Sequence, residues 1–184
     1  MGAVVFVVVV VVAAAVVALG VVTFNRLIAA RNGVREAWAQ IDVLLDRRHR
    51  LIADLVRIAA GAADFERSTL EAVTAARDAA ERAPSPAPKG EAEREIGRAA
   101  QVLFARAEAY PQLGANAAFG QLQGELVATE DELAASRRYY NGRVKRYHDA
   151  IESFPAVLVA ARLGYRRNEY FQADEDERDA PAIR

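Results

Sequence analysis

An all-α protein is what the sequence predicts: an N-terminal transmembrane helix followed by an antiparallel four-helix bundle with long helices. Three observations lead there. The first 24 residues of the 184 carry no charged side chain, and 12 of them are valine. Beyond Phe24, every long segment spaces its apolar residues by three and four, and none alternates as a strand does. The six prolines all fall between or at the ends of the segments so defined, so none interrupts a helix.

The anchor comes first. A helix over Ala3–Phe24 has 22 positions, and at ~1.5 Å per residue it is about 33 Å long, enough for a ~30 Å hydrocarbon core. Valine's preference for strands does not count against it, because in lipid a helix satisfies its own backbone hydrogen bonds. A cleaved signal peptide would need a basic leader and a small-residue site after the apolar run. Here no Lys or Arg precedes the run, and Ala13-Ala14-Ala15 lies inside it, so an uncleaved single-pass anchor over residues 1–24 is expected. Arg26, Arg31 and Arg35 follow closely, which by the positive-inside rule puts the N-terminus outside and the remainder in the cytoplasm. Ala14 and Ala18 are spaced for close helix approach, but read more simply as small residues of an apolar helix.

The next stripe is Val34, Trp38, Ile41, Leu45, Ile52, Leu55 and Ala59, interrupted at Arg48. Residues 26–83 form either one helix of 58 positions or two, since Gly61 and the capping-box pattern Ser68-Thr69-Leu70-Glu71 allow a break. Ala83-Pro84-Ser85-Pro86-Ala87-Pro88-Lys89-Gly90 is expected as a stiff linker, 83–90. Ile96, Ala99, Leu103, Ala107 and Tyr110 mark a shorter helix that ends at the Tyr110–Gly114 bend. A long helix over Asn116–Glu152 carries Phe119, Leu122, Leu126, Thr129, Leu133, Tyr140, Val144, Tyr147 and Ile151 on one face, and Phe154 extends the stripe. Ser136–Arg137 interrupts it. If the first segment breaks, the lengths run long, short, short, long and close as an up-and-down bundle with coiled-coil-like packing. Ala156–Leu163 is expected as a short apolar helix ended by Gly164, and 172–184 as a disordered tail with five acids and two arginines.

Composition excludes much chemistry. No cysteine is present, which removes disulfides, thiolate metal sites and a Cys nucleophile. Lys and Arg number 24 against 25 Asp and Glu, so no basic excess points to nucleic acid. His49 and His148 stand in no ligand spacing, and Glu130-Asp131-Glu132 lacks the Glu-x-x-His partners of a di-metal bundle. No phosphate loop or catalytic triad occurs, so no catalytic residue, metal, cofactor or small-molecule substrate is expected.

The remaining candidates concern binding and packing. Residues 26–50 hold six arginines against three acids, and Arg26, Arg31 and Arg35 are candidate lipid-headgroup contacts. Arg47-Arg48 and Arg137-Arg138 are read first as ion-pairing residues that fix helix register, with carboxylates such as Asp46, Glu130 or Glu132, and second as anion binders. Tyr110, Tyr140 and Asn141 are expected in a buried hydrogen-bonded joint between helices.

Four groups of residues carry a family resemblance. Arg35-Glu36-Ala37-Trp38-Ala39-Gln40-Ile41-Asp42, with Leu45-Asp46-Arg47-Arg48 and Leu51–Val56, resembles the first signature of the LemA family. Glu66 with Thr69–Val73 and Ala76-Arg77 is similar to the second. Glu108-Ala109-Tyr110-Pro111-Gln112-Leu113 with Phe119, Gln121-Leu122 and Glu125-Leu126 resembles the third. Arg138, Tyr140-Asn141, Phe154-Pro155 and Tyr170-Phe171 resemble the last. The pattern is departed from at Ala53 and Asp54, where proline and asparagine are common, and at Ala62, Phe65 and Gly114. The resemblance implies a bacterial membrane-anchored helical protein without an established enzymatic activity, and favours four helices in the bundle.

The functional expectation is a non-enzymatic scaffold or adaptor at the bacterial inner membrane, acting through self-assembly or a membrane-protein partner. Its alternatives are a lipid-interacting protein that senses or shapes the membrane, and a non-catalytic subunit of a membrane enzyme complex.

Overall fold

A computed structural model describes residues 1–63 and 65–171; the expected acidic tail, 172–184, lies outside the described residues. The described residues are all-helical, with no strand among them. The helices are α1 (Gly2–Ala60), α2 (Arg67–Arg82), α3 (Pro86–Ala107), the short α4 (Pro111–Gly114) and α5 (Ala117–Glu152), followed by a 3₁₀ turn over Ala156–Leu158.

The open question over residues 26–83 resolves as a break after Ala60. Helix α1 runs from the apolar leader through the first stripe, then closes with tightened bonds from Gly61 N to Ile58 O and Ala62 N to Ala59 O, each 3.1 Å. Helix α2 starts before the anticipated capping box. Its N-cap is Glu66, which accepts from the Ser68 and Thr69 hydroxyls at 3.1 and 3.3 Å, so Ser68 lies already inside the helix.

The linker expected over 83–90 is a correction. Only residues 83–85 connect the two helices, because α3 begins at Pro86. Proline suits the first positions of a helix, where no amide hydrogen is needed for an intrahelical bond. At α5, the Asn116 side chain accepts from the amides of Ala118 and Phe119 at 3.0 and 3.2 Å and so caps the start.

The described chain divides into two compact units. One holds residues 1–36 and 142–168; the other holds 37–141 and the chain from Glu169. The second unit buries a core from α1 (Leu51, Ile52, Leu55), α2 (Val73, Ala80), α3 (Ile96, Leu103) and α5 (Phe119, Leu126). Ile52 and Leu55 are three residues apart and the pairs on α2, α3 and α5 seven apart, so each set lies on one helix face turned inward.

The first unit contains the leader, whose most apolar stretch is long enough to cross a membrane and is wholly exposed. Leu27 and Val34 on α1 and Val144, Tyr147 and Ile151 on α5 are buried. Helix α5 stops at Glu152, so Phe154 does not prolong the buried stripe and is 77% exposed. The short helix anticipated over 156–163 is one 3₁₀ turn followed by irregular turns, closed by Gly164 at φ +77°, a conformation that favours glycine. Tyr165 is buried, and the Arg31 guanidinium stands over its ring at 5.0 Å. Tyr147 donates its hydroxyl to Arg166 O at 2.8 Å, and the Asn168 amide donates to His148 Nε2 at 3.1 Å. Burial first, and Arg167 second, push the His148 pKa below its usual value.

Candidate functional site

The second unit holds a buried ion cluster. Arg48 sits at the interruption of the α1 stripe, where 3.6-residue periodicity turns it inward with Leu45 and Ile52. Its Nη1 donates to Glu93 Oε2 at 2.6 Å and to Glu93 O at 3.1 Å; its Nη2 pairs with Glu130 Oε1 at 2.7 Å. The Glu93 side chain is fully buried. His49 completes the set, its Nε2 standing 2.7 Å from Glu93 Oε1. Burial pushes the Glu130 carboxyl up, and Arg48 opposes the shift by its charge and hydrogen bond. Gly97 leaves room for the guanidinium: a Cβ there would stand 3.3 Å from Arg48 Nη2.

Above the cluster opens a cleft of about 320 Å³, lined by Arg48, Glu93, Arg94, Gly97, Arg98, Gln101, Glu130, Leu133, Ala134 and Arg137. Arg94 and Arg98 pair with Glu91 and Glu95 at 2.8 and 3.0 Å. Arg48 faces two carboxylates through its terminal nitrogens, while its buried Nε has no hydrogen-bond partner. The arrangement offers register-fixing ion pairs, and it sets no nucleophile beside a base.

A clasp lies elsewhere in the same unit. Tyr140 donates to Glu169 O at 2.8 Å, while the Asn141 amide exchanges two bonds with Phe171, giving to its O at 3.2 Å and taking from its N–H at 3.0 Å. The Trp38 ring stands against both aromatics, with centroids 5.3 Å from Tyr140 and 5.5 Å from Phe171. The Glu169 carboxylate reaches the start of α3, accepting from Ser85 Oγ at 2.7 Å and Ala87 N at 3.2 Å. One short segment, 169–171, is thereby tied to α1, α3 and α5. Burial raises the Tyr140 hydroxyl to about 12, and Glu169 adds to the shift.

The other anticipated residues are spread out. Arg26 and Arg35 are exposed, whereas Arg31 is half-buried beside Tyr165. Arg47 is half-buried and faces Glu132 at 3.9 Å; Arg137 lines the cleft and Arg138 is exposed. Tyr110 stands against Phe65, with centroids 4.9 Å apart. No group of three residues that could hold a metal occurs among the described residues.

Glu93, His49, Trp38 and Glu169 escaped the sequence reading of the site. A signal existed for Glu93: positions 93, 96, 100, 103 and 107 follow one inward face, so this one acid of the Glu91–Glu95 run had to point into the core. No local pattern announces Glu169, because its bonds span more than 80 residues of chain.

Comparison with known proteins points to the same family as the sequence resemblance. The model of the LemA family matches residues 37–184. Protein LemA of Metamycoplasma hominis is 28% identical, over 84% of this chain and 71% of that protein. Magnetosome protein MamQ 2 of Paramagnetospirillum magneticum and magnetosome protein MamQ of Magnetospirillum gryphiswaldense are each 23% identical, over 87% of this chain and 68% of theirs.

Proposed function

The chain belongs to the LemA family, and we propose that it is a single-pass protein of the bacterial cytoplasmic membrane acting as a non-catalytic scaffold or adaptor. Helix α1 carries this reading, because one unbroken helix joins a charge-free, exposed apolar leader to side chains that pack a polar and apolar core. The leader spans the bilayer, and Arg26, Arg31 and Arg35 after it hold that flank on the cytoplasmic side. Helices α1, α2, α3 and α5 close as an antiparallel four-helix bundle.

Binding is the mechanism. The ion pairs of the cluster and the hydrogen bonds of the clasp set helix register and leave outer faces for partners. Val43, Val102 and Val127 are more than half exposed on those faces. Mass measurement of the full chain in mild detergent, with proximity labelling in the native membrane, tests the proposal. Self-assembly or a recurrent membrane-protein neighbour supports it; a monomer without neighbours contradicts it. The exposed Arg26 and Arg35 favour lipid contact as the second reading.

A further inference from the structure

We infer that the hook formed by residues 153–164 is a second membrane element, inserted from the cytoplasmic side beside the last turns of the transmembrane helix. The inference rests on the reading of Ala3–Phe24 as the span. A groove of about 380 Å³ is lined on one side by Val16, Leu19, Gly20, Thr23, Phe24 and Leu27, and on the other by Pro155, Leu158, Val159 and Leu163. Val16 and Phe24 are eight residues apart, about 12 Å along a helix axis. If the leader crosses the bilayer, most of this groove lies below the level of Phe24, within the hydrocarbon, and the hook that lines it lies there too.

The hook has the surface and the backbone for that place. Phe154, Leu158 and Leu163 are 77%, 63% and 51% exposed, and Val157 and Val159 are close to half exposed. So dense an apolar display marks an interaction surface. Its continuity with the span through one groove selects lipid as the occupant. Non-helical backbone in lipid is tolerated only when its polar groups find partners. Here the amides of residues 157–160 and 163–165 all donate within the segment, at 2.8–3.2 Å. The hook holds one charge, Arg162, two residues before its end, and Arg166 and Arg167 follow it; all three are exposed, the last pairing with Glu152 at 3.3 Å. Long arginine side chains reach back to the interface, where anionic headgroups attract them.

Because the chain lacks cysteine, one introduced residue reports one place. The full chain is reconstituted into phosphatidylethanolamine–phosphatidylglycerol vesicles as four variants, Leu158→Cys, Leu163→Cys, Val8→Cys and Val127→Cys, each carrying an environment-sensitive fluorophore. Nitroxide-bearing acyl chains serve as quencher. The first two variants are expected to show blue-shifted emission and quenching approaching that of Val8→Cys, with Val127→Cys unquenched. If both hook labels behave like Val127→Cys while Val8→Cys is quenched, the hook is not inserted although the anchor stands. If Val8→Cys itself is unquenched, the anchor reading fails and the hook's insertion falls with it.

Discussion

Arg48 donates twice to Glu93 through one nitrogen, at 2.6 Å to the carboxylate and at 3.1 Å to the main-chain oxygen. A guanidinium held by both side chain and backbone admits one register of α1 against α3, and Glu130 adds a tie to α5. Buried pairs of this kind act on specificity more than on net stability.

Breaking the pair is therefore expected to be far worse than removing it. Glu93→Leu leaves the buried Arg48 with Glu130 alone and is expected to cost about 3–5 kcal/mol. The double variant Arg48→Met with Glu93→Leu is expected to recover most of that loss. Urea unfolding of the full chain in detergent, followed by circular dichroism, checks both. A double variant as unstable as the single one contradicts the assignment.

The clasp makes a graded prediction. Tyr140→Phe removes one hydrogen bond and keeps the ring against Trp38, so a loss of about 1 kcal/mol is expected. Asn141→Ala strips partners from both the amide and the carbonyl of buried Phe171, and is expected to cost more, about 2–6 kcal/mol for two buried groups. Hydrogen exchange at the Phe171 amide should accelerate in the second variant and stay near native in the first.

Acidification is expected to loosen the first unit through His148. Its folded pKa lies below the ordinary 6.5, so the neutral ring is the form the fold prefers. The stability this contributes is complete above 6.5 and declines as pH falls through 6.5 toward the lowered folded value. The charged groups bearing on the ring are Arg167, Glu152 and Asp149. The protection factor of the Asn168 amide, with the base-catalysed intrinsic exchange rate at each pH divided out, should fall from pH 7 to pH 5, and His148→Gln should flatten that dependence.

How much of this was legible depended on whether a residue kept a helix period. Arg48 announced itself because a charge at an inward position of a stripe stands out. Glu93 hid between Glu91 and Glu95, and only the phase of Ile96 and Leu103 separates it from them. Pro86 and Pro88 read as linker because proline breaks helix interiors, yet the same missing amide suits a first turn. The hook and the Glu169 half of the clasp were out of reach of periodicity, although Tyr140 kept the α5 stripe. Phe154 continued the spacing of α5 after the helix had ended, and Glu169 acts through partners distant in sequence.

Membrane topology tests the central claim most directly. Val127→Cys places one thiol on an exposed position of an otherwise cysteine-free chain. Intact bacterial cells are treated with a membrane-impermeant maleimide, and membranes are then extracted with alkaline carbonate. The account predicts a full-mass chain that stays with the membrane and is labelled only after the cytoplasmic membrane is opened. Labelling in intact cells, or a trimmed chain released as soluble protein, would contradict it.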